Sequence, residues 1–233
     1  MNSTLGISII IPTLNEAQGL GQLLGHLNGV MDNTLIEEVI IVDGDSSDST
    51  RQIAENQGAK VLVSKRGRAK QMNHGAKNAK GNVLYFLHAD TYPPEGFENL
   101  ICEAIANGFE VGCFRMKFDT RNPVLRFFAY LSRVNHTLCR GGDQSLFITK
   151  KVFVETGGFN ENYLIYEDTE FIRRLYKKNR FKIVPKNVIT SARKYRDNGW
   201  ARVQFHFAMI HLKNYLGAKP DELYNYYKRK LLT

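Results

Sequence analysis

His88 and Asp90 stand two residues apart where a short apolar run gives way to polar residues, in the stretch 83–91, VLYFLHADT. An imidazole and a carboxylate can both bind a metal ion. On an extended backbone, residues i and i+2 face the same side. The run 83–87 is rich in strand-forming residues, Gly81 and Asn82 punctuate its start, and Pro93 and Pro94 break the chain soon after Asp90. Open α/β sheets bind their ligands where strands end, so this strand end is a candidate site. The ordinary alternative makes Asp90 a turn cap and His88 a surface residue.

Other acids come just after predicted structural transitions. Asp43 and Asp45 come after the apolar stretch 37–42, and Glu167 with Asp168 opens a predicted helix. Parallel strands would bring the loop of Asp43 and the loop of Asp90 to one sheet edge. Residues 65–80 are basic and punctuated by glycine: Arg66, Gly67, Arg68, Lys70, Gln71, Asn73, Gly75. They read as a loop leading into a helix, whose N-terminus and arginines form a natural anion site. Acids at a sheet edge beside such a loop suit a metal–diphosphate ligand. The metal, Mg²⁺ or Mn²⁺, would bridge carboxylate and phosphate oxygens and offset developing negative charge. An imidazole ligand at His88 would favour Mn²⁺, the softer ion. The plainer readings are Asp48 as a helix cap, Asp43 as a turn residue, and Glu167 and Asp168 as favourable first-turn acids.

The elements that must position these groups alternate. Residues 7–11 are a continuous apolar run, as in a strand buried on both faces. A helix over 17–30 comes next, with Leu20, Leu23, Leu24 and Leu27 at helical spacing. Strand 37–42, a helix over 50–57 capped by Asp48 or Ser49, and strand 60–64 complete a β-α-β-α-β series. That order predicts a parallel sheet wrapped by helices. Beyond it, the pattern predicts a helix over 95–106, a strand over 111–118 and one amphipathic helix over 123–139. After these come an apolar stretch at 146–148, a helix from Glu167, two edge strands at 180–184 and 188–189, and closing helices over 199–216 and 221–231.

Of the 233 residues, 43% are hydrophobic and 24% charged, as in a soluble globular chain, and no stretch of about 18 uncharged apolar residues is present. The N-terminal residues lack the pattern of a signal peptide. Three widely spaced cysteines give neither a disulfide framework nor a zinc site. These features predict a cytoplasmic protein. The net charge of +9 suits phosphorylated small molecules or an anionic membrane surface. With the amphipathic segments 123–139 and 199–216, it predicts peripheral contact with the inner face of a membrane. No nucleic-acid-binding motif is recognisable, so nucleic acid is not an expected partner.

There is no GxxxxGK[ST] loop, no GxGxxG after the first strand, and no GxSxG, HExxH or Cys–His signature. The stretches IIIPTLNE (9–16), IIVDGDSSDST (40–50), FLHADT (86–91), GGF (157–159) and YEDTEFIRRL (166–175), in this order and spacing, resemble a family 2 glycosyltransferase with the GT-A fold. The resemblance covers about residues 6–195. GRAKQMNHGAKNAKG (67–81) and GDQ (142–144) point to a bacterial subgroup with His-Ala-Asp in place of Asp-X-Asp.

The resemblance implies an α/β, GT-A-type single domain over 1–233 with a mainly parallel central sheet flanked by helices. About 6–90 would bind the nucleotide sugar, 91–195 would serve the acceptor and catalysis, and 196–233 would be C-terminal helices. Pro12, Glu16, Asp43, Arg68 and Asp90 would contact the donor, Asp43 at the base. Asp90, with His88 as an assistant, would bind the divalent metal, and Asp168 in the Glu167–Asp168 pair would be the general base. His88 replaces the usual first aspartate, and Gly44–Asp45 departs from the usual pattern, making Asp45 a turn residue. The late segment 191–195, SARKY, is only loosely similar to the family's basic-aromatic segment. The expected activity is inverting transfer of a sugar from a nucleotide diphosphate sugar to a small-molecule, glycan or lipid-linked acceptor. A nucleotidyltransferase, which would release pyrophosphate, and a non-catalytic nucleotide-sugar-binding module remain as alternatives.

Overall fold

The structure is a computed structural model and describes residues 5–32 and 34–231. The expected span of 1–233 and the reading of the extreme N-terminus reach beyond the described residues. The chain runs β1 (Ile7–Thr13), α1 (Ala17–Val30), β2 (Ile36–Asp43), α2 (Thr50–Asn56), β3 (Lys60–Val63), α3 (Arg68–Asn78), β4 (Val83–Phe86) and β5 (Thr91–Tyr92). It continues through α4 (Phe97–Ala106), β6 (Val111–Phe118), α5 (Pro123–Leu131), β7 (Leu146–Thr149), α6 (Lys150–Thr156) and α7 (Glu167–Lys178). β8 (Phe181–Thr190), α8 (Arg193–Asn198), α9 (Trp200–Tyr215) and α10 (Pro220–Leu231) complete it.

The strands form one sheet in the order β3-β2-β1-β4-β7-β6-β8-β5. β1 pairs in parallel with β2 and β4, and β2 with β3, so the first half is the parallel sheet that the alternating pattern predicts. The second half is mixed. β7 runs antiparallel to both β4 and β6, β8 is parallel to β6, and β5 is antiparallel to β8.

Alternation along β1 builds two cores. Ile7, Ile9 and Ile11 pack with Leu20, Leu23, Leu24 and Leu27 of α1 and with Phe97 and Ile101 of α4. Ile10 faces the other layer with Ala69, Met72 and Ala76 of α3 and Phe171 of α7. A strand buried on both faces is mostly apolar, so β1 lacks a polar alternation, and its one interior polar residue, Ser8, is hydrogen-bonded to Glu38 and to Gly81 N–H. Gly75 permits the close approach of α3: a Cβ there would lie 2.5 Å from Ile10 Cγ2.

Two sequence expectations are corrected. The single helix over 123–139 stops at Leu131, and a separate 3₁₀ turn, Thr137–Cys139, lies beyond it. Buried Arg140 draws the Ser132 and Val134 carbonyls onto its guanidinium, and a carbonyl so engaged cannot extend the helical ladder. The two edge strands near 180–189 are one strand, β8, flanked by β6 and β5. Its register jumps from Phe114↔Val184 to Arg115↔Asn187, so Pro185 and Lys186 bulge out of the ladder. Helix α6 and the two-residue β5 carry no sequence pattern that announces them.

Candidate active site

The loops after β1 and β2 are laced together. Asn15 N–H donates to Ser46 Oγ at 2.9 Å, and Asn15 Oδ1 accepts from Ser47 N–H at 2.9 Å. Glu16 N–H donates to Thr50 Oγ1 at 2.9 Å, while Asp48 accepts from Ala17 N–H and Thr50 N–H, serving the starts of α1 and α2 together. The stretches PTLNE and VDGDSSDST are therefore one structural unit. Gln71, from α3, ties the strand ends beneath them, donating to Thr13 O at 2.8 Å and Val42 O at 2.7 Å.

Within this unit Asp43 is fully buried. Its Oδ2 accepts from Ser46 N–H at 2.9 Å and lies 3.4 Å from Arg51 Nε, whereas Oδ1 has no partner. Buried acceptors are normally paired, so Oδ1 stands out as an acceptor left unsatisfied among the described residues. Asp45 is an exposed turn residue with φ 68°, 3.9 Å from Arg51, in line with its expected turn role. Pro12 is buried inside β1 opposite Val42, behind these loops. Glu16 is half-buried, and its Oε2 lies 3.3 Å from Arg193, brought there by α8.

The strand carrying His88 and Asp90 ends earlier than expected. β4 stops at Phe86, and Thr91 N–H donates to His88 O at 3.1 Å, closing a turn. The extended geometry that would set both side chains on one side is replaced by this turn, because the backbone must reverse to pair β5 with β8. The two residues then find different surroundings. His88 is buried, with Nδ1 3.4 Å from Asp143 Oδ1 and Nε2 3.5 Å from Asp168 Oδ2. Asp90 is half-buried; its backbone carbonyl accepts from Ser191 N–H at 3.1 Å, and among the described residues its carboxylate has only a long 3.5 Å contact with the Thr91 hydroxyl.

Desolvation alone would lower the His88 pKa, but Asp143 and Asp168 outweigh it and raise it to about 10. Desolvation likewise opposes ionisation of Asp143, yet His88, Arg68 and Lys194 hold its carboxyl below the usual range. Glu167 differs from its neighbour. It is buried, with Arg68 Nη1 at 4.0 Å, and burial, then the Asp168 charge, push it up to about 7. The start of α7 is held by Tyr166, which has φ 70° and shares a 2.9 Å hydrogen bond between its hydroxyl and His211 Nδ1.

Among the described residues no three His, Cys, Asp or Glu side chains converge as a ready-made metal shell. Asp90 nevertheless fits a cation shared with a bound phosphate group, since its carboxylate is accessible and has no ion-pair partner among the described residues. His88, expected as an assistant ligand, has both ring nitrogens facing carboxylates.

The fold thus brings Glu16 and Asp43 into one laced pair of loops, and His88, Arg68, Glu167 and Asp168 into a second cluster. Asp143 is the member that residue patterns missed, although it lies in the GDQ stretch. Arg193, in the loosely matching SARKY segment, reaches the donor-side loop. Gln71 and Arg51 also go unannounced, because their partners lie 58 and 8 positions away in the chain.

Comparison with known proteins agrees with this architecture. The model of the family described as Glycosyl transferase family 2 matches residues 8–165. A dolichol-phosphate mannosyltransferase of Pyrococcus furiosus is 36% identical over 112 residues, covering 45% of this chain and 31% of that protein. The succinoglycan biosynthesis protein ExoA of Rhizobium meliloti is 27% identical over 192 residues, 72% of this chain and 57% of the relative. The chain therefore spans between about a third and somewhat over half the length of these relatives. Among solved structures, the mannosyltransferase PcManGT from Pyrobaculum calidifontis, in complex with GDP-Man and Mn²⁺, superposes with a TM-score of 0.70. That match has 16% identity over 99% of this chain and 69% of the other. S. aureus TarS 1-349 in complex with UDP-GlcNAc gives 0.66 at 21% identity, over 80% and 58%. At such identities the structural likeness speaks for the fold alone, which is the GT-A-type α/β fold. With the family model matched across residues 8–165, the chain belongs to glycosyl transferase family 2.

Proposed function

We propose that the protein is an inverting glycosyltransferase that moves a sugar from a nucleotide diphosphate sugar to an acceptor hydroxyl or phosphate oxygen. The observation that carries this is the unpaired, buried Asp43 Oδ1 at the end of β2, with Asp90 coming after β4 and the Asp168 cluster opening α7. Asp43 would accept from the nucleobase, and Glu16, Arg68 and the loop at Pro12 would frame the rest of the donor. Asp90 would hold a divalent metal, Mg²⁺ or Mn²⁺, together with the diphosphate. That ion would supply charge neutralisation for the departing nucleoside diphosphate.

Asp168 is assigned as general base. With a hydroxyl acceptor, its carboxylate takes the hydroxyl proton as the acceptor oxygen bonds to the anomeric carbon, while the bond from that carbon to the diphosphate oxygen breaks; an ionised phosphate oxygen would attack without giving up a proton. Glu167 is poorly placed for this, because it is buried and paired toward Arg68. In a nucleotidyltransferase the acceptor would instead attack the α-phosphorus of a nucleoside triphosphate and displace pyrophosphate. The decisive experiment is a screen of nucleotide sugars with Mn²⁺ or Mg²⁺ for slow transfer to water. Release of a nucleoside diphosphate and free sugar supports the reading, and release of a nucleoside monophosphate with sugar phosphate, or no turnover with any donor, overturns it.

A lipid-linked acceptor and peripheral membrane contact are the second part of the proposal. No helix among the described residues is long and apolar enough to cross a membrane. Yet Phe205, Ala208, Leu212 and Tyr215 are exposed along α9 at spacings of three and four, a face of the helix left open among the described residues. The last turn of neighbouring α10 is basic. An apolar stripe beside cationic residues fits an anionic lipid surface. One of the named relatives is a dolichol-phosphate mannosyltransferase.

A further inference from the structure

The His88 imidazole is the point where three separate chain segments meet. His88 comes from the turn after β4, Asp143 from the 3₁₀ turn Gly142–Gln144, and Asp168 from the first turn of α7. The ring has two polar atoms, and each faces one carboxylate oxygen, at 3.4 and 3.5 Å. A ligating imidazole must turn a nitrogen toward its metal, but here each nitrogen already faces a carboxylate, and among the described residues no three His, Cys, Asp or Glu side chains converge as a metal shell.

The segments around the ring are built to meet it. Gly142 lies so close that a Cβ there would overlap Asp168 Oδ2 and stand 2.6 Å from His88 Cε1. The turn carrying Asp143 is braced from behind. Gln144 Nε2 donates to Cys139 O at 2.6 Å, and buried Arg140 donates to Gln144 Oε1. Asp143 therefore sits on a fixed support, and the ring transmits that support to Asp168.

We propose that His88 is a positioning residue, anchored by Asp143, that holds the Asp168 carboxylate for activation of the acceptor, and that it is not a metal ligand. This rests on Asp168 being the base. An aspartate at the open start of a helix can rotate about two side-chain bonds. Tying Oδ2 to Nε2 leaves Oδ1 to receive the acceptor proton. Direction matters here because misplacing a reacting group by about 1 Å can cost roughly 10²-fold.

The test compares the full chain with His88→Ala, His88→Gln, Asp143→Asn, the double variant H88A/D143N and Asp90→Ala. Mn²⁺ affinity is read by electron paramagnetic resonance in the presence of UDP or GDP, and turnover is read with the nucleotide sugar that the parent hydrolyses. Thermal melts confirm that each variant folds. The expected result is that His88→Ala and Asp143→Asn keep the parent's Mn²⁺ affinity while Asp90→Ala loses it. His88→Ala loses about 10- to 100-fold in kcat at little change in donor KM. His88→Gln, which retains one N–H for Asp168, recovers part of that loss. The double variant is no worse than His88→Ala alone, because Asp143 acts through the ring. A loss of Mn²⁺ affinity of about tenfold or more in His88→Ala, the usual least effect of disturbing a metal's surroundings, overturns the proposal. So does an unchanged kcat. A parent that hydrolyses no nucleotide sugar defeats the glycosyltransferase reading instead, and the Mn²⁺ measurement still judges whether His88 is a ligand.

Discussion

Thr13 and Asp43 are register partners across β1 and β2, and each has one buried side-chain oxygen without a hydrogen-bond partner among the described residues. Adjacent strands ending in two unpaired acceptors form a polar floor that a bound ligand can satisfy. Asp43→Ala should weaken binding of the nucleoside diphosphate by roughly 10- to 100-fold, the worth of one hydrogen bond to a charged group. Isothermal titration calorimetry reads this directly. An unchanged Kd would remove Asp43 from the donor site.

Asp168→Asn keeps the size of the side chain and removes its basicity. Donor binding should survive, while transfer falls by roughly 10²–10⁴-fold. Glu167→Gln should cost less, since its carboxyl is buried beside Arg68 rather than facing the His88 ring. Steady-state kinetics of both variants decide between them. An inactive Glu167→Gln with a near-normal Asp168→Asn would exchange the two roles.

Gly142→Ala tests the crowding around the same carboxylate. The added methyl would overlap Asp168 Oδ2, so either Asp168 or the 3₁₀ turn must move. Since misplacement by about 1 Å can cost roughly 10²-fold, kcat should drop about that far. Turnover equal to the parent's would show that the Asp168 position is not critical.

Glu167 makes stability depend on pH. Its folded pKa is raised from 4.5 to about 7, chiefly by burial. The folded state therefore holds this proton where the unfolded chain has released it. The favourable contribution is complete below the unfolded value and is lost as pH rises through about 7. Glu167→Gln abolishes that loss. Its melting temperature relative to the parent should climb between pH 5 and pH 8 by several degrees, at roughly 2–4 °C per kcal/mol for a chain of this size. A pH-independent difference would contradict the raised pKa.

Membrane contact predicts co-sedimentation with vesicles containing anionic lipid at low salt, weakened by high salt as the charge is screened. Phe205→Ser combined with Leu212→Ser removes apolar area from the open face of α9 and should reduce binding. Absence of binding at low salt would end the membrane part of the proposal.

The parallel half of the fold was legible along the chain. Strand, helix and strand each carry their own periodicity, and short loops between them leave few topologies. Asp43, Asp90 and Asp168 were legible as residues of interest because they come just after such transitions. By itself the sequence determined the two-layer β/α half, the polar stretches at its strand ends and, through the resemblance, the family. It left open how those stretches meet. The end of α5 depends on Arg140 reaching back to Ser132 and Val134 carbonyls. The mixed half of the sheet depends on β8 sliding between β6 and β5. Above all, His88 read as a metal ligand because its neighbour two residues on is an aspartate. Its ring instead faces Asp143 and Asp168, 55 and 80 positions further along the chain, from 3.4 and 3.5 Å. Local pattern reports which groups a segment carries, whereas only tertiary packing decides which groups fall within a few ångströms, the range over which charge and hydrogen bonding act.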